Sequence, residues 1–314
     1  MYRRLLIVEI KSLKYENPAY QVEVDWMITQ RCNYTCSYCA SYDNSQPFLF
    51  KPLEEYIKSF KYLSDYFGNK TIRLDFLGGE PTLFKQWVKL INWLADHNYK
   101  PIITTNLSIP AIQYIRVLNP NLSKFINASF HTEFADLDSF YESAKMLNNA
   151  GFLHSIGLLP HPDNWEYSMK CYEKLKEVAF VNIAKIKDEK STNSISSGFL
   201  DYSEDQLKIF DDIPKLHDEY LSLKINDTII NPSIYEIREK YSNFKGMKCA
   251  VGRERIHIKP NGDVFPSACL LNYEKAKMGN IYKQDIVKAK SAITCPFNEC
   301  LCGPDIRIEK WAQE

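Results

Sequence analysis

The sequence predicts an α/β fold: a partial (β/α)6 barrel of the TIM type, followed by a small cysteine-rich C-terminal domain. Three observations predict it. β-rich runs alternate with amphipathic helical stretches through the first two thirds of the chain; the alternation stops near residue 190; and five of the nine cysteines fall between residues 249 and 302. Strands alternating with helices form parallel units joined by right-handed crossovers, and six such units make a partial barrel. With 314 residues and 45% hydrophobic content, the chain can bury a core of this size.

The elements follow in order. Val22, Val24, Trp26 and Ile28 alternate with Glu23, Asp25 and Met27, the period of a strand, and this strand runs into the segment RCNYTCSYCA. Leu53, Ile57, Phe60, Leu63 and Phe67 mark one face of a helix that stops at Gly68-Asn69. Ile72, Leu74 and Phe76 form the second strand, followed by Gly78-Gly79-Glu80-Pro81 and a helix carrying Leu83, Trp87, Leu90, Ile91 and Leu94. Further strands are predicted over 101–106, 125–131, 152–159 and 180–186, with helices over 139–149 and 164–177. Ser191, Ser194, Ser196 and Ser197 read as a loop and a boundary. Beyond them lie a helical connector, a strand over 221–230, a helix over 234–241 and irregular cysteine-rich structure. The expected domains are therefore the barrel at 1–190, a connector at 191–244 and the C-terminal unit at 245–314. The chain shows no internal repeat.

Lys and Arg total 39, as do Asp and Glu, so net charge gives no argument for nucleic acid or an anionic membrane as partner. No apolar run approaches the roughly 20 residues that span a bilayer, and the opening MYRRLLIVEIKSLKYE turns to charge too early for a signal peptide. A cytoplasmic protein is expected, and clustered cysteines in a reducing compartment point to metal rather than to disulfides.

Cys32-x3-Cys36-x2-Cys39 is the most informative feature. A four-iron cluster has four irons to ligate, and three close thiolates hold three of them. No fourth cysteine lies nearby and none of the six histidines falls in the loop, so one iron is left for an exogenous ligand. Three core thiols on a helix face, or a zinc site completed by a distant ligand, are the competing readings.

With the Gly78-Gly79-Glu80-Pro81 segment behind it, this loop resembles the radical S-adenosylmethionine (SAM) superfamily. The resemblance implies a Cys-x3-Cys-x2-Cys loop after the first strand of a partial barrel. It implies a [4Fe–4S] cluster on Cys32, Cys36 and Cys39 whose open iron is chelated by SAM, and reductive cleavage of SAM to methionine and a deoxyadenosyl radical. Tyr38 would pack near the adenine. Gly78, Gly79, Glu80 and Pro81 look like the family's amino-binding motif: glycines admit a close ligand, and a carboxylate can accept from the SAM ammonium. Thr104, Thr105 and Asn106 end the third strand and Ser129 and His131 the fourth, where related enzymes place polar groups against ribose or carboxylate. His131 could instead face the substrate.

Near the C-terminus, Cys249 precedes a hairpin with Asn261-Gly262 at its turn, and Cys269 follows it, so the two cysteines are brought toward one another. Cys295-x4-Cys300-x-Cys302 can complete four-thiolate ligation. The segment is similar to the SPASM and twitch appendages of radical SAM proteins, although the spacing after Gly262 is longer and the full seven-cysteine SPASM set is absent. Five cysteines cannot ligate two four-iron clusters. One auxiliary [4Fe–4S] cluster is therefore expected, held by Cys249, Cys269 and two of Cys295, Cys300 and Cys302, with zinc as the alternative metal. A spare thiol could be a bystander, a redox-sensitive group or a hydrogen-atom donor. Cys171, in a helical segment, reads as a core residue.

The expected activity is hydrogen-atom abstraction from a peptide, as in ribosomal peptide maturation by epimerisation, cross-linking or oxidation. Flavodoxin or ferredoxin is the expected reductant. About 30 residues precede the first cysteine, too few for a separate leader-peptide domain, so recognition would come from the barrel or from another chain. The alternatives are a dehydrogenase or epimerase of a sugar or other small metabolite, and a non-catalytic metal-binding interaction module.

Overall fold

The structure, a computed structural model, describes residues 10–39, 50–186, 199–215, 220–226, 228–300 and 303–312. The serine-rich stretch around Ser191–Ser197 and the site candidate Cys302 lie outside them.

Six parallel strands form the predicted partial barrel: β2 (Val22–Thr29), β3 (Ile72–Gly78), β4 (Tyr99–Thr105), β5 (Ile126–Phe130), β6 (Leu153–Leu158) and β7 (Val181–Ile183), adjacent in that order. Helices α1 (Leu53–Tyr66), α2 (Trp87–Ala95), α3 (Leu137–Asn149) and α4 (Trp165–Leu175) pack outside them, and α5 (Glu204–Asp212) follows β7. The hydrophobic period sets this packing. Trp26 lies edge-on to Tyr56 and Phe60 of α1, with ring centroids 5.8 and 5.6 Å away. The crossover from β4 to β5 departs from the pattern: it holds two 3-10 turns, Ala111–Gln113 and Ile115–Val117, and no α-helix. Pro110 and Pro120 bracket it, and each proline removes an N–H and turns the preceding residue away from the helical region, leaving too short a run for a helix.

Two pairings cross the boundaries expected from sequence. β11 (Arg255–Ile258) and β12 (Asp263–Phe265) are the predicted Asn261-Gly262 hairpin. Through β11, which runs parallel to β2, the hairpin joins the barrel sheet as a seventh parallel strand, and β13 (Gly279–Asn280) closes that edge. In exchange, an unpredicted N-terminal strand, β1 (Ile10–Tyr15), leaves the barrel for a second, antiparallel sheet. There β1 lies between β8 (Leu221–Ile225) and β15 (Lys310–Trp311). β9 (Thr228–Ile230) makes a hairpin with β8, so the single strand expected over 221–230 is two. β10 (Lys248–Cys249) and β14 (Ile293–Thr294) complete this sheet, against which α6 (Ile234–Lys240) and the short α7 (Gly303–Ile306) lie.

The barrel interior is charged. Val24, Trp26, Ile256 and Ile258 belong to the helix-side core, so Glu23, Asp25, Arg255 and His257, one residue out of phase, point inward. The Arg255 guanidinium binds Glu23 and both oxygens of Asp25, at 2.7 and 2.6 Å. All three residues are buried.

Candidate functional site

The cysteine loop leaves the C-terminal end of β2, and the Gly-Gly-Glu-Pro turn leaves the C-terminal end of its neighbour β3; Thr29 and Gly78 are in register. The turn grips the loop through its backbone. Gly79 N–H donates to Thr29 O and Glu80 N–H to Arg31 O, both at 2.8 Å. A Cβ at Gly78 would stand 1.9 Å from Thr29 O, and one at Gly79 1.9 Å from Arg31 O. Both glycines are thus required by close approach of one backbone to another. Gly79→Ala is expected to cost about 3 kcal/mol as overpacking with no soft neighbour to yield, and to lower bound iron, because the carbonyl it strikes adjoins Cys32. Gly151→Ala, at φ +76° with open space around it, is the control. It should carry only backbone strain of about 1 kcal/mol and leave iron content unchanged, as unfolding midpoints and iron assays will show.

Glu80 has a structural role that the sequence reading did not include. Its side chain is fully buried, and both oxygens are taken: Oε1 by Thr82 N–H at 2.9 Å, Thr82 Oγ1 at 2.5 Å and Thr105 Oγ1 at 2.8 Å, and Oε2 by Asn106 N–H at 2.7 Å. The carboxylate caps the 3-10 turn Pro81–Leu83 and ties the end of β3 to the end of β4. Burial raises its pKa against the pull of these bonds.

Asn106 does reach the loop. Its Nδ2 donates to Asn33 Oδ1 at 3.0 Å and approaches Cys32 Sγ at 3.8 Å, while Tyr34 N–H donates to the same sulfur at 3.4 Å. From the turn after β5, Glu133 accepts from Ser37 N–H at 2.8 Å and from Ser37 Oγ at 2.5 Å, which fixes the loop between Cys36 and Cys39. Sequence reasoning missed Glu133, because nothing in its spacing sets it apart from other loop carboxylates. Tyr38 and His131 are brought together: the hydroxyl lies 3.1 Å from His131 Nδ1, and the rings stack with centroids 6.2 Å apart. Ser129 stands in register with Gly157 on the neighbouring strand, half-buried.

Burial pushes the Cys36 thiol up to about 12, helped by repulsion from Cys39, Glu133 and Cys32, and burial also raises Cys32. His131 is lowered by burial, against the pull of Glu133. Uncompensated thiols in this setting stay protonated, and a bound cationic group draws the protons off. Three soft donors on a loop braced from two sides fit a metal–sulfur cluster. Among the described residues, no three His, Cys, Asp or Glu side chains close around one point as the ligands of a single ion do. Ligands that each reach a different iron stand farther apart than ligands sharing one ion.

The second sheet gathers the C-terminal thiols. Cys249 ends β10, and Cys295 follows β14, its pairing partner, with Cys295 N–H donating to Met247 O at 2.8 Å. Cys300 N–H donates to Ser242 O at 2.9 Å. Cys269 sits in a 3-10 turn, its N–H donating to Asp305 Oδ2 at 3.0 Å and its sulfur 3.0 Å from Ser267 Oγ. These four cysteines lie in or against one apolar cluster. Burial pushes Cys300 up to about 11, with Lys310 opposing and Asp305, Cys249 and Cys295 adding. Cys171 is buried in the barrel core on α4, as predicted.

Comparison with known proteins gives the following. The profile of the radical SAM superfamily matches residues 26–188. An S-adenosylmethionine-dependent nucleotide dehydratase of Selenomonas ruminantium is 31% identical over 105 residues, 33% of this chain and 33% of that protein. The chain thus matches a third of that relative's length. Among solved structures, anSMEcpe with bound AdoMet superposes with a TM-score of 0.57 at 16% identity, over 84% of this chain and 79% of that one. SuiB of Streptococcus suis bound to precursor peptide SuiA gives 0.56 at 17% identity, over 85% of this chain and 64% of that one.

Proposed function

The chain belongs to the radical SAM superfamily, and from that premise we propose that it is an enzyme that modifies a peptide by abstracting a hydrogen atom. The observation that carries the proposal is the gathering of Cys249, Cys269, Cys295 and Cys300 on the second sheet, beside a barrel whose three-thiol loop is braced as a cluster site. The family implies SAM and one [4Fe–4S] cluster, which Cys32, Cys36 and Cys39 would hold. A second, auxiliary cluster would take Cys249, Cys269 and two of Cys295, Cys300 and Cys302, in a twitch- or SPASM-like unit. When bound, the first cluster and SAM supply a deoxyadenosyl radical able to take a hydrogen atom from substrate carbon.

The chain's own residues would hold and exclude. Asn106 and Glu133 fix the loop, the Glu80 brace fixes the two strand ends behind it, and the Tyr38–His131 stack walls one side. SuiB, a fold neighbour, is seen with a precursor peptide, which supports a peptide substrate. No helix among the described residues is long and apolar enough to cross a membrane, and the eight described cysteines are all free thiols. Both suit the cytoplasm, with flavodoxin or ferredoxin as electron donor.

A small-molecule substrate is the second reading, favoured by the sequence match to a nucleotide dehydratase. One experiment separates the two. Anaerobically reconstituted protein is reduced with dithionite in the presence of SAM, and deoxyadenosine is counted with synthetic peptides copied from short reading frames beside this gene, or with nucleoside triphosphates and nucleotide sugars. Peptide-dependent deoxyadenosine, with a peptide mass change, is expected. Stimulation by the small molecules alone would replace the peptide reading, and no deoxyadenosine under any condition would leave a binding module.

A further inference from the structure

A buried cation stands among the C-terminal thiols. Lys310 is 1% exposed. In the second sheet it lies directly opposite Cys249, so both side chains leave the β10–β15 pair on the same face, the face of the apolar cluster that holds Leu13, Phe244 and Cys295. Its Nζ donates to the carbonyl oxygens of Asp305, Ile306 and Ile308 at 2.8, 3.2 and 2.8 Å and lies 5.0 Å from the Phe244 ring centroid. Three carbonyls take all three N–H groups of an ammonium.

Carbonyl dipoles satisfy the hydrogen bonds of Lys310, and its charge is met only in part: Asp305 feels it, but less than it feels Arg255. Among the described residues no carboxylate lies within 4 Å of Nζ. The nearby carboxylate, Asp305, is committed elsewhere: it accepts from Cys269 N–H at 3.0 Å and Ala268 N–H at 3.4 Å and stands 3.8 Å from Arg255 Nε. A buried charge that is met only in part costs free energy, so a further opposite charge beside it is stabilising. Neutral thiols do not supply that charge. Four thiolates around a four-iron core of charge +2 do, leaving a net −2 beside Lys310.

We propose that Lys310 is the fixed counter-charge of the second metal–thiolate centre and sets the potential at which that centre takes an electron. The inference rests on the reading that the C-terminal cysteines hold a cluster. Lys310 is a positioning residue here. Its ammonium favours the more negative, reduced state of the centre, and its three hydrogen bonds hold the 305–308 turn from which Asp305 orients Cys269.

The test uses the full chain, reconstituted anaerobically, with iron and sulfide counted per chain and the second centre followed by potentiometric titration and electron paramagnetic resonance. Lys310→Gln keeps N–H donors and removes the charge; Lys310→Arg keeps the charge. The expected result is an approximately tenfold loss in the equilibrium for one-electron reduction in Lys310→Gln, a midpoint about 59 mV more negative, with Lys310→Arg near the parent value. A midpoint unchanged in Lys310→Gln, or shifted equally in both variants, overturns the proposal. If Lys310→Gln does not assemble the second centre while Lys310→Arg does, the charge is needed to retain it and the proposal stands; if neither assembles it, shape rather than charge is at work and the proposal falls. A parent protein that holds iron for one cluster only defeats the auxiliary-cluster reading itself, an outcome distinct from any of these.

Discussion

Cys36→Ala is expected to reduce reductive cleavage of SAM to background and to remove one cluster's iron from the reconstituted protein, whereas Cys171→Ala keeps both. The two thiols are comparably buried, at 4% and 0% exposure, so burial alone does not separate them. Their surroundings do. Cys171 lies on α4 within the apolar core of the barrel, where alanine leaves a small void worth about 1 kcal/mol. Cys36 sits on a loop whose backbone is pinned by Glu133, Gly79 and Glu80 and whose Asn33 side chain is held by Asn106, and those hydrogen bonds hold its sulfur in place with Cys32 and Cys39. Losing an outer partner of a metal ligand costs roughly 10- to 100-fold in affinity or activity, and losing a ligand from a set of three should cost more. Deoxyadenosine formation and iron content are the readouts. A Cys36→Ala protein that still cleaves SAM would remove the three-thiol loop from the mechanism.

The cysteine loop and the glycine turn were legible because each is a short stretch whose spacing carries its own meaning. Their functions were less so. The glycine pair reads as room for a ligand, and the backbone also needs it for Thr29 O and Arg31 O; Glu80 reads as a ligand contact, and its oxygens already accept from Thr82, Thr105 and Asn106. Thr82 is local, but Thr105 and Asn106 come from the end of β4, some 25 residues away in sequence, and no local pattern announces them. The six barrel strands were legible from period-two alternation. Alternation does not say what the polar face meets, however, and Glu23 and Asp25 meet Arg255 across more than 200 residues. The same non-locality hid β1, whose partners β8 and β15 come from the far end of the chain.

Arg255→Met tests that interior charge and is expected to lower stability by about 3–5 kcal/mol, because it strands buried carboxylates that had a partner. For a domain of this size that is a fall of roughly 10 °C in Tm. The cost falls unevenly. A cavity of about 530 Å³ lined by Tyr15, Tyr20, Glu23 and Arg307 opens at the N-terminal end of the barrel, the end away from the cysteine loop. Glu23 can draw on that cavity's water and on Arg307, 3.4 Å away. Asp25 is deeper, at 1% exposure, in register with Asp75, and its next nearest ring nitrogen is His257 Nδ1 at 3.9 Å. Burial alone would raise the Asp25 pKa; Arg255 more than offsets burial and holds it below the usual carboxylate range. In the parent, therefore, Asp25 contributes stability at pH above its unfolded value of about 3.9 and loses that contribution as pH falls toward its lower folded value. Without Arg255 the sign reverses. The folded pKa rises above the unfolded one, so the deficit of Arg255→Met should be largest near pH 7 and should shrink as the pH is lowered toward 4. Adding Asp25→Asn to Arg255→Met removes the stranded charge and should recover part of the loss, whereas a double variant no more stable than the single one would show that Arg255 matters for its shape and not for its charge.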